Sequence, residues 1–232
     1  TLHIAYSPSL KSAEYLKNTK LPIIVCDTTE SEDFSDNQSP DEIMYCHGIH
    51  GVMDMCNLLK KNKKTYAVAA GHYLNSNVID RVAGFVKAAK SAKALYNSNV
   101  GSIGGYFDGM GDFRVSDERL KEMFNVNVVY PKDGEIAELA QNVTEQEIET
   151  EKEKNKKDFK FFGEFDDEIY NNSVKADLVL KKWIEKNNLQ AFTINFRAIG
   201  ELPTMPFNGI CRAMARQIGY AGEGDTLTAL FT

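Results

Sequence analysis

Near the carboxyl terminus of this 232-residue chain, the stretch "AGEGD" (221–225) sets the carboxylate of Glu223 between two glycines. Backbone of that kind takes unusual dihedrals and comes close to a ligand. With Asp225 two residues on, the loop offers oxygen donors suited to a hard or borderline cation such as Mg²⁺ or Mn²⁺. Acidic residues are equally at home where a helix begins, and spacing alone leaves both readings open. In "MYCHGIHG" (44–51), Cys46, His47 and His50 stand together after an apolar run that reads as a strand. Two histidines three apart, without a second pair of ligands, rarely complete a metal site. A histidine facing substrate hydroxyls from a strand end fits better. "GSIGGYFDGMGDF" (101–113) carries five glycines, but not in the GxGxxG spacing, and no helix opens directly from it. Its aromatic Tyr106, Phe107 and Phe113 and acidic Asp108 and Asp112 suit a phosphate poorly. The segment reads as an irregular loop lining a substrate, or as a turn that needs glycine for positive φ.

These residues are held by alternating short β-rich and helix-length segments. Strands are expected at 2–7, 21–28, 42–46, 65–71, 99–105, 125–131 and 191–196. Helices are expected at 8–18, 51–61, 75–97, 116–124, 133–157, 166–188 and 206–217. In 51–61, Val52, Met55, Leu58 and Leu59 recur at helical spacing, and in 75–97 Val78, Val82, Phe85, Val86 and Ala89 share a face. "TYAVAAG" (65–71) is apolar almost throughout, the pattern of a strand buried on both faces. Alternation of this kind requires parallel sheets flanked by helices, an α/β fold of two Rossmann-like lobes. Ligands in such sheets sit beyond the carboxyl ends of the strands, where the loops described above fall. The expected division is 1–97, 98–222 and a junction at 223–232.

Composition narrows the function classes. A net charge of −6 argues against nucleic acid or an anionic membrane surface as partner. No apolar run is long enough to span a bilayer, and no basic-then-apolar leader opens the chain. Cys26, Cys46, Cys56 and Cys211 show no CxxC pairing, so reduced thiols in a cytoplasmic protein are expected. Walker, HExxH, EF-hand and Gly-x-Ser-x-Gly patterns are absent, which weakens the nucleotide and nucleophile classes.

Taken in order, "HIAYSPS", "YCHGIHG", "AGHYLNSNVIDRVAGFVKAAKSAKALYNSNVGSIGG" and "LQAFTINF…LPTMP…GYAGEGD" resemble segments of the L-arabinose isomerase family over most of the chain. The resemblance implies an aldose–ketose isomerase that moves a proton between C1 and C2 of a pentose or related sugar through an ene-diol. It also implies a Mn²⁺ ion, with Glu223 as metal ligand and acid/base, and a homo-oligomer whose site lies at a subunit contact. Phe196 falls on an aromatic lining the sugar site and His50 on a histidine near the sugar hydroxyls. The departures are His47, where the family has glutamine, and a longer glycine-rich loop that leaves the lining methionine open between Phe107 and Met110. The family's second glutamate and both histidine ligands fall beyond Thr232, so the chain is expected to be part of a longer enzyme, without turnover and with weak metal binding on its own. The alternative is a non-catalytic α/β module that binds a sugar or other small molecule.

Overall fold

The computed structural model describes residues 1–232 apart from Ser7, Phe34 and Phe113, so the aromatic expected at 113 lies outside the described residues. The chain divides into two compact units, Thr1–Lys93 and Ala94–Thr232. Both are α/β, each with a wholly parallel sheet.

The first unit comprises β1 (Leu2–Ile4), a 3₁₀ turn (Ser9–Ser12), α1 (Ala13–Asn18), β2 (Ile23–Thr29), α2 (Glu42–Tyr45), α3 (Gly48–Lys61), β3 (Tyr66–His72) and most of α4 (Val78–Leu95). The sheet order is β1-β2-β3. Leu16, Met55 and Leu59 close one face over Ile4, Ile23 and Val25, which is why the apolar residues of 51–61 repeat at helical spacing. The other face is thinner: Val78 and Val82 of α4 meet Cys26 and Ala69.

Three expectations fail here. Residues 42–46 form the short helix α2 and not a strand; Pro40, Asp41 and Glu42 are helix-opening residues, and the Glu42 carboxylate accepts from Ser31 and Gln38 side chains. The apolar run at 65–71 is an edge strand, largely half-buried and not covered on both faces. Arg81 caps that edge, donating to the carbonyls of Val68 (2.9 Å) and Ala70 (3.5 Å). On α4 only Val78 is fully buried, while Phe85 and Val86 of the expected apolar face are exposed.

The second unit runs β4 (Asn99–Ile103), α5 (Asp117–Phe124), β5 (Asn127–Val129), α6 (Glu135–Gln141), α7 (Glu145–Asp158), α8 (Asp167–Lys186), β6 (Ala191–Ile194), α9 (Phe207–Ala215), β7 (Gly219–Gly222) and α10 (Thr226–Phe231). Its sheet order is β5-β4-β6-β7. Alternation along β4 and β6 sends Val100 and Ala191 to one core with Leu120, Val126 and Ala229. Ile103, Phe192 and Ile194 go to a second core around Trp183. Full burial of side chains such as Phe192 stabilises by roughly 1.5–3 kcal/mol each. A side chain at Gly101 would meet Trp183 at 2.5 Å, so the indole owes its place to that glycine.

The single helix expected over 133–157 is two, α6 and α7. Thr144 stops the run by starting a new one: its hydroxyl accepts from the Glu147 N–H while the Glu147 carboxylate accepts from the Thr144 N–H. No strand is expected over 219–222, yet β7 forms there by pairing in parallel with β6.

Candidate functional site

The strand register places the candidate residues of the second unit. Ile103 pairs with Ile194, and Ile194 with Gly222. The next residue on each strand, Gly104, Asn195 and Glu223, therefore lies in one row at the carboxyl edge of the sheet. The chain leaves β4 for β5 on one side and later returns to β6 on the other, so the row spans a topological switch point.

Each member of the row is fixed by the others. The Asn195 side chain is buried; it donates to the carbonyls of Gly104 (3.4 Å) and Tyr106 (3.2 Å) and accepts from the Arg197 N–H (3.1 Å). Gly104 has φ +83°, and a Cβ there would lie 2.0 Å from the Ala198 carbonyl oxygen. Glu223 adopts φ +64°, a left-handed conformation that costs a non-glycine residue about 1–2 kcal/mol. The surroundings over-determine it. Its N–H donates to Ile194 O (3.1 Å), and its carbonyl accepts from the Phe107 N–H (2.8 Å). Directly beneath, the wholly buried Thr193 hydroxyl donates to Gly222 O (3.3 Å) and accepts from the Gly224 N–H (3.0 Å). Gly224 itself has φ +85°, with only 2.2 Å between a notional Cβ and Gly105 O. Backbone from three strands thus holds Glu223, while its carboxylate makes no hydrogen bond or ion pair among the described residues.

Phe196, half exposed, presents its ring to Phe107 with centroids 5.4 Å apart, and the Arg197 guanidinium lies 4.9 Å over the Phe107 centroid. Phe107 is thus the loop residue whose ring meets Phe196; Met110 stands further along the same loop, 41% exposed. Beside the row, Gly104, Gly105, Tyr130, Lys132, Gly200 and Glu201 help to line an open crevice of about 620 Å³. Burial and the neighbouring Asp117 push the Tyr130 phenol up to about 12, so it stays a neutral donor.

The Asp225 carboxylate accepts from the Thr228 N–H (2.8 Å) through one oxygen and caps α10, in keeping with the helix-terminus reading of this acid. Among the described residues no group of three or more His, Cys, Asp or Glu is placed to hold a metal ion. The Mn²⁺ implied by the resemblance finds one suitable carboxylate here, Glu223, and the residues present do not make up its ligand set.

In the first unit, His47 and His50 lie not after a strand but at the start of α3. Their rings and that of Tyr6 form a three-way cluster with centroids 5.2–5.7 Å apart. Gly48 lets this helix end pack on β2, since a Cβ would fall 1.8 Å from Asp27 Oδ1. Burial pushes the Asp27 carboxyl up, partly opposed by His3, and Oδ1 has no hydrogen-bond partner among the described residues.

Thr193, Asn195, Arg197 and Tyr6 went unremarked in the sequence. Their shared signal is position, at or just past the carboxyl end of a β-strand.

Comparison with known proteins supplies the rest. Residues 106–232 match the family model described as the L-arabinose isomerase central domain. An L-arabinose isomerase of Oceanobacillus iheyensis is 27% identical over 180 residues, covering 74% of this chain and 36% of the relative. One from Halalkalibacterium halodurans is 23% identical over 244 residues, covering 97% and 46%. One from Thermotoga maritima is 22% identical over 227 residues, covering 95% and 45%. The chain thus spans between about a third and a half of the length of these curated relatives.

Proposed function

The chain belongs to the L-arabinose isomerase central domain family, and from that premise we propose that it is the sugar-binding and proton-transfer part of an aldose–ketose isomerase acting on a pentose or related sugar. The observation that carries the proposal is the locked left-handed Glu223, aimed from the carboxyl edge of a parallel sheet beside a half-exposed aromatic. Locally strained backbone that neighbours over-determine is characteristic of functional positions.

In this reading Phe196 and Phe107 pack against the C–H face of the sugar, fixing C1 and C2 relative to Glu223. Glu223 then takes the proton from C2 and returns it to C1, while the O2 hydroxyl proton passes to O1, so that the hydroxyl and carbonyl exchange places through the ene-diol. The work demanded of the chain is placement, and a backbone held from three strands keeps the carboxylate from swinging away from the reacting carbon. His50, with His47 beside it, reaches sugar hydroxyls across a subunit contact. A Mn²⁺ ion, with Glu223 as one ligand, belongs to this proposal as part of the complete site. So do a homo-oligomer with its site at a subunit contact and a cytoplasmic setting. By itself the chain binds sugar without turning it over.

Titration calorimetry of Mn²⁺ and of L-arabinose into the chain and its Glu223→Ala variant tests this. The proposal expects sugar binding in both proteins, weakened in a Phe196→Ala variant, and metal binding no tighter than millimolar. Tight Mn²⁺ binding lost on Glu223→Ala would show a complete metal site within the chain and overturn the assignment of ligands. Measurable isomerisation would overturn its inactivity.

A further inference from the structure

The arginines of this acidic chain are mostly engaged. Arg119, Arg212 and Arg216 pair with carboxylates, and Arg81 is taken up by strand carbonyls. Arg114 and Arg197 form no ion pair among the described residues. Both ride on neighbouring rings of one loop, Arg114 5.9 Å over Tyr106 and Arg197 4.9 Å over Phe107.

Arg197 is the better placed. It follows Phe196, and the ring under its guanidinium is the one that meets Phe196. Its backbone is anchored by the buried Asn195 side chain, so the base of the side chain does not need to be ordered when a ligand arrives. A guanidinium whose face is covered by an aromatic ring still presents its N–H edge, the fork that matches carboxylate or phosphate oxygens. Asp108, next to Phe107 in sequence, forms no salt bridge with it, although an opposite charge so near in the chain is available.

We propose that the sugar taken at this site carries an anionic group, a carboxylate or a phosphate, that docks on the N–H edge of Arg197 while the sugar ring packs on Phe196. The inference rests on the sugar isomerase reading and narrows its substrate class from neutral pentoses to acidic sugars.

The test is a titration by nuclear magnetic resonance that follows the Arg197 Nε–H and the Phe196 ring. The probes are L-arabinose, ribose 5-phosphate, glucuronate and inorganic phosphate. At least one acidic sugar is expected to bind about five- to tenfold more tightly than L-arabinose, the gain of a charge-assisted paired contact at an accessible site. Arg197→Gln should erase that preference, bringing the acidic sugars to the affinity of L-arabinose in the same variant, and Arg197→Lys should restore part of it. The Arg197 side chain is exposed, so these variants fold as the parent does. Ribose 5-phosphate and glucuronate separate the two kinds of anion. Equal affinities for neutral and acidic sugars, with shifts at Phe196, would overturn this inference alone. So would a preference that survives in Arg197→Gln. Shifts at Arg197 with phosphate but none at Phe196 with any sugar would sink the sugar reading, and this inference with it.

Discussion

Asp177 gives a prediction that can be worked through to a number. It sits on α8 with 5% of its surface exposed, where Oδ1 accepts from the Gly209 N–H (2.7 Å) and Oδ2 from the Asn208 side chain (3.2 Å). It thereby supplies the first turn of α9 with the acceptor that Pro206 cannot offer. Burial outweighs these bonds and pushes the carboxyl up from 3.8 to about 6; Glu151 adds to the rise and Arg212 opposes it. A folded-state value above the unfolded one means that the folded protein holds the proton longer. Stability from this group is therefore fully present below pH 3.8 and is lost as pH rises through about 6. A displacement of about two units corresponds to roughly 3 kcal/mol. In Asp177→Asn the amide oxygen still accepts from Gly209, but the amide nitrogen faces the donor of Asn208, at a cost of about 1 kcal/mol. The variant should be less stable than the parent by about 1 kcal/mol at pH 4 and more stable by about 1–2 kcal/mol at pH 8. Urea unfolding of both proteins between pH 4 and 8 measures the difference, in which all other titrating groups cancel. A difference that does not change with pH would refute the reasoning.

Other outcomes follow from the same structure. Gly224→Ala forces a Cβ to within 2.2 Å of Gly105 O at φ +85°, and should cost about 2–5 kcal/mol by urea unfolding. Thr193→Val keeps the shape but leaves the buried Gly224 N–H without its acceptor; a loss of about 1–3 kcal/mol and faster hydrogen exchange at that amide are expected. Glu147, held down to about 2 by Lys182 and by the Thr144 cap, contributes stability above pH 4.5 that is lost as pH falls towards 2. Because this pair is largely solvent-screened, Glu147→Ala should cost only about 1 kcal/mol at pH 7, and nothing near pH 2.

The features legible in the sequence were those set by local periodicity. The α3 stripe and the apolar runs of β2, β4 and β6 follow from short-range pattern. What escaped is decided by partners distant in the chain. β7 exists because β6 pairs with it, and β3 is an edge because, among the described residues, β2 is the one strand that pairs with it. Residues 42–46 misled because Ile43, Met44, Tyr45 and Cys46 look like a strand, although three of them end up exposed and only Cys46 is buried. At the site, Glu223 and Phe196 drew notice by residue type and family likeness. Asn195 and Thr193 did not, since a polar residue inside an apolar run gives no hint of the backbone it will tie until the register is known.

Among the described residues, the loop after β4 is tied to β6 and to Glu223 through residues 104–107. Tyr106 donates its hydroxyl hydrogen bond to Val115 O, and the Phe107 N–H is held by Glu223 O. Of the contacts that fix the Glu223 backbone, one comes from this loop, the Phe107 N–H, while those from Ile194 and Thr193 come from β6. Residues 108–112 can therefore change in length and composition without moving Glu223, and in descendants of such a chain this stretch is free to diverge while the carboxylate keeps its place.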